Sequence, residues 1–161
     1  MTRFLRATTA LLGFTVVSSF LFAGAAHAGS MDDAKKTVKR AVAYVKYQGK
    51  ARALAEIGKP RGMFDKGELY AWAYDLHGTM VAHPKDPELV GKKLIDVPDA
   101  EGKLFRKEIV EKVGEKGWAW VSYKYLNPET KQLEYKTSYC QAVSDIIICC
   151  GAYEEYEHGG D

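Results

Sequence analysis

The sequence lacks the motifs that mark several common functions. It contains no G-x-S-x-G nucleophile elbow, no Walker phosphate loop and no H-E-x-x-H zinc motif, so the usual signals of hydrolases, nucleotide-binding proteins and metalloproteases are missing. The three cysteines form no C-x-x-C pair, which disfavours covalent haem and structural zinc. These absences predict a protein that is not an enzyme and that has no cofactor.

Apolar runs of membrane-spanning length are also lacking. The one long run, Leu11 to Phe22, is shorter than the roughly 20 residues that a transmembrane helix needs. Arg3 and Arg6 precede this run, and the small-residue cleavage sequence Ala26-His27-Ala28 follows it. We therefore predict a cleaved signal peptide over residues 1–28 rather than a membrane anchor, and a periplasmic or secreted protein.

The chain expected after cleavage has no net charge of either sign. The whole sequence has 23 Lys and Arg against 21 Asp and Glu, and cleavage would remove Arg3 and Arg6, leaving a formal charge of zero. Nucleic-acid binding is therefore not expected, because it needs net positive charge. The length predicts a single domain, over residues 29–153, followed by an acidic flexible tail over residues 154–161.

Hydrophobic periodicity predicts a mixed helix and sheet fold. Residues 32–57 show helical spacing, with a bend or division at Gly49, and residues 103–113 predict a second helix with Leu104, Phe105, Ile109 and Val113 inward. A short helical turn is predicted within residues 86–97. Strands are predicted over 68–74, 79–83, 118–125, 133–143 and 146–153. The order predicts an α+β fold: a long N-terminal helix and a PAS-like, five-stranded antiparallel sheet with a helical insert between strands 2 and 3.

Motifs along this sheet carry a resemblance to a known family. They are Tyr70-Ala71-Trp72, Asp75-Leu76-His77-Gly78-Thr79-Met80, His83-Pro84, Gly91-Lys92, Asp99-Ala100-Glu101-Gly102-Lys103, Gly117-Trp118, Tyr123-Lys124-Tyr125, Lys136-Thr137-Ser138-Tyr139 and Gly151-Ala152-Tyr153. In this order and spacing the chain resembles the single Cache domain family, type 2. It departs from that family at Tyr125, where a tryptophan is usual.

The resemblance implies an extracytoplasmic sensor domain that binds a small metabolite, often a short-chain carboxylate. Because no second membrane helix and no output domain follow Tyr153, signalling is expected to pass through a membrane receptor or kinase partner. A homodimer through the N-terminal helix is a further expectation. The alternatives are an adaptor with a filled pocket, which docks to a membrane partner without a ligand, and a small metal-dependent or thiol enzyme.

The expected ligand-binding residues follow from the resemblance and from what an anion needs, namely cations or hydrogen-bond donors beside an aromatic wall. They are Lys136, His83, Trp72 and Tyr123, followed by Tyr70 and Arg61. Lys136 is expected to pair with a ligand carboxylate, and His83 to donate a hydrogen bond to one and to gain charge beside it. For each of them an ordinary role in the core or on the surface is the alternative.

The cysteines lead to a geometric prediction. If Ser144-Asp145 is a two-residue turn, Val143 pairs with Ile146 and Cys140 faces Cys149 directly across two antiparallel strands. In an oxidising compartment this arrangement predicts a disulfide between them, with Cys150 on the other face of the sheet. Three buried free thiols are the alternative.

Overall fold

The computed structural model describes residues 30–154 as helices packed on both faces of one antiparallel sheet. The predicted signal peptide and most of the predicted acidic tail lie outside these residues. The elements in chain order are α1 (Met31–Gln48), α2 (Lys50–Ile57), β1 (Asp65–Lys66), β2 (Leu69–Asp75), β3 (Met80–Ala82), a 3-10 turn (Pro87–Leu89), α3 (Phe105–Lys116), β4 (Trp118–Leu126), β5 (Leu133–Val143) and β6 (Ile146–Tyr153). No helix among the described residues is long and apolar enough to cross a membrane.

The N-terminal helical region is divided into α1 and α2 at Gly49, as the sequence predicts. The Ser30 hydroxyl accepts a hydrogen bond from the backbone N–H of Asp33 and caps α1. Gly49, with φ of 83°, ends α1 and precedes α2, and glycine adopts this left-handed region without a steric penalty. The buried side of α1, which includes Ala34, Val38 and Val45, packs across β2, β5 and β6.

The sheet has six strands in the order β1-β2-β6-β5-β4, with β3 pairing with β2 outside this path. The PAS-like α+β prediction is confirmed, but the sheet has one strand more than the five expected. The additional strand, β1, has only two residues, which is too short to show the period of two that predicts a strand. Every residue of the central strand β6 is buried, because α1 covers one face and the β3–α3 segment covers the other.

The inward-facing residues of helix α3 differ from the prediction at two positions, Leu104 and Arg106. Leu104 was expected to point inward, but it is 38% exposed, because the helix begins only at Phe105 and Leu104 is its N-terminal flanking residue. Arg106 is buried instead, together with Phe105, Ile109 and Val113. Arg106 precedes Ile109 by three positions and Val113 by seven, so it lies on the same helical stripe. A guanidinium is thereby placed in the layer between α3 and the sheet.

The cysteines occupy the two faces of the central strands. Val143 pairs with Ile146, Cys140 pairs with Cys149 across β5 and β6, and their sulfur atoms are bonded, with the Cα atoms 4.1 Å apart. Cys150 is a buried free thiol on the α1 side of the sheet. Burial raises the pKa of the Cys150 thiol to about 12, so this thiol is in its neutral form at physiological pH.

We predict that the exported chain contains one free thiol and one disulfide. Alkylation under denaturing, non-reducing conditions should add one label, and reduction first should add three. The bond closes a short loop of sequence separation 9, so Cys140→Ser with Cys149→Ser should lower the free energy of unfolding by roughly 2–3 kcal/mol in the chain-entropy model. Three labels without reduction would show that the bond does not form.

Candidate functional site

The site lies on the face of the sheet that α3 covers. Tyr70, Trp72 and Tyr74 project from β2 onto this face, since alternate residues of a strand share a side. All three side chains are almost completely buried. Tyr123 from β4 and Lys136 from β5 reach the same layer, which therefore combines aromatic rings with an amine.

Lys136 is enclosed by aromatic rings. Its side chain is completely buried, and its Nζ lies 3.8 Å from the ring centroid of Tyr70, 4.5 Å from that of Tyr153 and 4.8 Å from that of Trp72. Nζ also donates a hydrogen bond of 3.3 Å to the Tyr153 hydroxyl. Aromatic faces attract a cation and so offset part of the cost of removing it from water.

Gly151 makes the room that Lys136 occupies. Gly151 lies on β6 opposite Ser138, and a Cβ atom there would come 2.9 Å from Cε of Lys136 and would overlap the Ser138 hydroxyl. Any larger residue would therefore displace the Ser138 side chain, the lysine, or both. Desolvation lowers the pKa of Lys136 to about 7, so near neutral pH the amine is present in both charge states.

His83 follows β3 and packs beside the same rings. Its ring centroid is 5.4 Å from that of Tyr70, and its Nδ1 accepts hydrogen bonds from the backbone N–H groups of Lys85 and Asp86. This assigns the proton of the neutral imidazole to Nε2. Burial, and then the positive charge of Lys136, lowers the pKa of His83 to about 3. In this structure His83 is thus a neutral donor that also orders the loop behind β3.

Tyr123 and Arg61 have other surroundings. Tyr123 is buried, its hydroxyl shares a 2.9 Å hydrogen bond with Ser138 Oγ, and its ring stacks on Phe105 with centroids 3.9 Å apart. Arg61 has a positive φ of 55°, its side chain is exposed, and its backbone N–H donates to Asp65. The structure therefore brings Lys136, His83, Trp72, Tyr123 and Tyr70 into one layer, and Arg61 is not among them.

A pocket of about 720 Å³ opens beside this layer. Its inner wall includes Tyr70, Phe105, Arg106 and Tyr125, and its rim carries charges of both signs. Of the predicted site residues, Tyr70 lines the pocket directly. Lys136, Trp72 and His83 contact Tyr70 from the protein side, so they form the layer that supports the inner wall.

Arg106 is the charged residue of this inner wall, and neither it nor Phe105 nor Tyr125 was among the site residues predicted from the sequence. It is 6% exposed, its Nη1 donates to the carbonyl of Val97 at 3.2 Å, and its guanidinium lies 4.2 Å from the Phe105 ring centroid. Its Nε has no hydrogen-bond partner among residues 30–154. The signal that could have found Arg106 was its place on the inward stripe of α3. A buried guanidinium with an unused N–H is equipped to bind a carboxylate.

A second buried donor without a partner lies deeper in the layer. The indole N–H of Trp72 interacts with the Tyr74 hydroxyl, but no acceptor among residues 30–154 meets it at full hydrogen-bond geometry. Buried polar groups are usually satisfied, and those that are not often mark a place where water or a ligand binds. Both unpaired donors, Trp72 Nε1 and Arg106 Nε, are in the layer that adjoins the pocket.

The outer walls of the pocket are fixed by short polar contacts. The buried carboxylate of Asp65 pairs with the ammonium of Lys85 at 2.8 Å. Opposite, the Asp99 carboxylate accepts hydrogen bonds from the backbone N–H groups of Lys103 and Lys124. These contacts connect the two pocket-lining loops to β1 and β4.

Comparison with known proteins identifies the family. The family model described as "Single Cache domain 2" matches residues 24–156. The chain belongs to the single Cache domain 2 family. The match confirms the resemblance given above. Domains of this family are extracytoplasmic sensor domains that bind ligands.

Solved structures from chemotaxis and chemosensory proteins share this fold. One is the periplasmic sensor domain of a chemotaxis protein, with 25% identity, a TM-score of 0.61 and coverage of 78% of this chain and 90% of that one. Another comes from work on carboxylic acid recognition by a Cache chemosensory domain, with 26% identity, a TM-score of 0.61 and coverage of 78% and 88%. A methyl-accepting chemotaxis protein from Vibrio parahaemolyticus, at 20% identity, has a TM-score of 0.63 and coverage of 76% and 86%, which shows the fold alone.

The burial of Lys136 predicts a pH-dependent stability. Its pKa falls from 10.5 in the free residue to about 7 in the fold, so between these values the unfolded chain binds more protons and the free energy of unfolding rises with pH. Lys136→Met removes this dependence. Its stability relative to the parent chain should therefore be highest at or below about pH 7 and should decline toward pH 10.5.

Urea denaturation across pH 6 to 10 measures this difference. Lys107→Met serves as the matched control, because Lys107 is exposed on α3. A difference for Lys136→Met that stays constant over the whole range would show that the amine is solvated in the folded protein.

Proposed function

We propose that this chain is an extracytoplasmic sensor module that binds a small organic acid in the pocket between β2, α3 and the 84–100 segment. The observation that carries the proposal is the buried Arg106 guanidinium, whose Nε is unpaired in the wall of the pocket. Hydrogen bonds from arginine to a carboxylate are charge-assisted and often bidentate. A ligand carboxylate would thus accept the hydrogen bond for which Arg106 Nε–H has no acceptor among residues 30–154.

The charge balance of the layer supports an anionic ligand. Neither Arg106 nor Lys136 forms an ion pair with a carboxylate of the described chain. A buried guanidinium without a counter-ion, beside an amine that is charged in only part of the molecules near neutral pH, is costly, and a bound anion offsets this cost. The carboxylates that act on Lys136 are those of Glu68 and Asp86, and Glu68 already accepts a hydrogen bond from the Asn127 side chain.

The aromatic wall supports a small ligand with an apolar part. Tyr70, Phe105 and Tyr125 line the pocket and limit the access of water to a bound carboxylate. Electrostatic interactions are stronger where water is excluded. A Cache chemosensory relative is described as recognising carboxylic acids, and we propose the same class of ligand for this chain.

The signalling partner is part of the proposal. We infer a periplasmic or secreted module that acts on a membrane receptor or kinase. The exposed side of α1 carries Lys36, Lys39, Arg40 and Lys46, with the half-buried Lys35 beside them. A homodimer through this side would bring like charges together, which is unfavourable, whereas an acidic partner surface would be attracted.

One observation favours the second candidate, an adaptor with a filled pocket. Lys136 is already surrounded by rings and hydrogen-bonded to Tyr153, so its part of the layer is packed in the absence of a ligand. In that case a partner protein, and not a metabolite, would be the functional ligand. A binding experiment on the isolated protein separates the two candidates.

We predict that short mono- and dicarboxylates raise the melting temperature of the mature protein. A ligand at 100 times its Kd stabilises the folded state by about 2.7 kcal/mol, which is a readily measured shift. Arg106→Lys keeps the charge but loses the planar fork, so affinity should fall roughly tenfold to hundredfold, as expected for hydrogen bonds to a charged group. Differential scanning fluorimetry followed by calorimetric titration gives both values.

The matched control is Lys107→Met, on the same helix but exposed and outside the pocket lining, and it should bind like the parent chain. Equal affinity in Arg106→Lys would contradict the role of Arg106. If no carboxylate binds to protein shown by mass spectrometry to be free of metabolites, the adaptor is the better explanation.

A further inference from the structure

The pocket that contains Arg106 also contains a carboxylate without a counter-ion. Asp86 is half-buried in the pocket lining and belongs to none of the ion pairs among the described residues. No donor from residues 30–154 makes a hydrogen bond to its carboxylate oxygens. Arg106 lies in the same lining, and its Nε–H has no acceptor in this part of the chain. The pocket therefore presents an unpaired charge of each sign.

Asp86 stands where an aspartate often uses its side chain for the backbone. It directly precedes the 3-10 turn Pro87–Leu89, and aspartate side chains at such positions commonly accept hydrogen bonds from the first N–H groups of the turn. Here the backbone carbonyl of Asp86 accepts the hydrogen bond from the Leu89 N–H at 3.1 Å, and the carboxylate makes no capping bond. The carboxylate is thus left for a donor that comes from elsewhere.

The backbone holds Asp86 beside the aromatic layer. Its N–H donates a hydrogen bond of 2.9 Å to Nδ1 of His83, whose ring packs on Tyr70. The adjacent cation, Lys85, also lines the pocket, but its ammonium pairs with the buried Asp65 at 2.8 Å. The position of Asp86 is therefore set from the protein interior, and its neighbour in sequence does not neutralise it.

The electrostatics of the lining favour a cation beside Asp86. Burial, and then the negative charge of Glu88, raises the pKa of Asp86, so its ionised form is disfavoured in this position. Burial raises the pKa of Tyr125 to about 12, with smaller contributions of opposite sign from the charges of Arg106 and Asp86. Tyr125 is thus within electrostatic range of both groups. A ligand that brings a positive charge to Asp86 would offset the cost of its ionisation.

We propose that the ligand is an amino acid, which places its carboxylate on Arg106 and its ammonium group on Asp86. This inference rests on the carboxylate-binding function proposed above and narrows the ligand class to zwitterions. A zwitterion satisfies both unpaired groups without adding net charge to the pocket. Tyr70, Phe105 and Tyr125 line the same space, and aromatic faces also attract an ammonium group. The volume of about 720 Å³ has room for a ligand with two charged groups.

Matched ligand pairs test the proposal on the mature parent chain, after mass spectrometry has shown it to be free of bound metabolites. Each pair is an amino acid and the acid that lacks only its amino group: L-alanine and propionate, 4-aminobutanoate and butanoate, L-glutamate and glutarate, and L-phenylalanine and 3-phenylpropanoate. For at least one pair, isothermal titration calorimetry should show that the amino acid binds roughly tenfold to hundredfold more tightly, as expected for a hydrogen bond between charged groups.

Asp86→Asn is the decisive variant, because it removes the charge and keeps the size of the side chain. It should lower the affinity for the amino acid to that of its des-amino partner, and it should not weaken binding of the des-amino acid. Asp96→Asn is the matched control, since Asp96 is an exposed carboxylate of the same 84–100 segment outside the pocket lining, and it should bind the amino acid like the parent chain. Circular dichroism checks that both variants fold, and the comparison of ligand pairs requires no variant.

The outcomes separate this inference from the function on which it rests. If des-amino acids bind and no amino acid binds more tightly than its partner, the carboxylate site stands and the amino-acid proposal is wrong. An equal affinity of Asp86→Asn and the parent chain for the amino acid would also overturn it. If no member of any pair binds, the proposed carboxylate function fails together with this inference.

Discussion

The structure depends on placing one lysine in a layer of aromatic rings. Transferring an ammonium group from water to a protein interior is costly, and an isolated buried charge is rare. The Lys136 amine is tolerated because Tyr70, Trp72 and Tyr153 surround it, because Tyr153 accepts its hydrogen bond, and because Gly151 leaves space beside it. Its lowered pKa shows that part of this cost remains. An anion bound near the layer would reduce it further.

The same constraint explains the arrangement of the pocket. The Tyr70 ring lies between Lys136 and the pocket, so a ligand in the pocket would interact with the Lys136 amine only across that ring. The Arg106 guanidinium lies in the pocket wall itself. His83 stays neutral because burial, and then the positive charges of Lys136, Arg106 and Lys85, lower its pKa. It also orders the loop that bears Lys85 and Asp86. The site thus combines a cation in the pocket wall, Arg106, an amine behind that wall, Lys136, and a neutral hydrogen-bond donor, His83. The family, a Cache sensor domain, is consistent with such a ligand-binding role.

Much of this could be predicted from the sequence, and the failures have physical reasons. The alternation in β2 placed Tyr70, Trp72 and Tyr74 on one face, and a two-residue turn fixed the register that puts Cys140 opposite Cys149. Leu104 was misplaced because the start of a helix depends on tertiary contacts that a pattern does not contain. Arg106 was overlooked because a charged residue on an amphipathic helix is ordinarily solvated. Arg61 was proposed for its position in the chain, but its loop leaves the side chain exposed.

The central claim is that an organic anion binds against Arg106, and the most direct measurement is nuclear magnetic resonance of its side chain. In ¹⁵N-labelled mature protein the Nε–H resonance of Arg106 can be assigned by its loss in Arg106→Lys. We predict that titration with a panel of short carboxylates moves this resonance for at least one of them, as the free N–H gains an acceptor. If the protein binds a carboxylate while the resonance stays in place, or if no carboxylate in the panel binds, the account of the site is wrong.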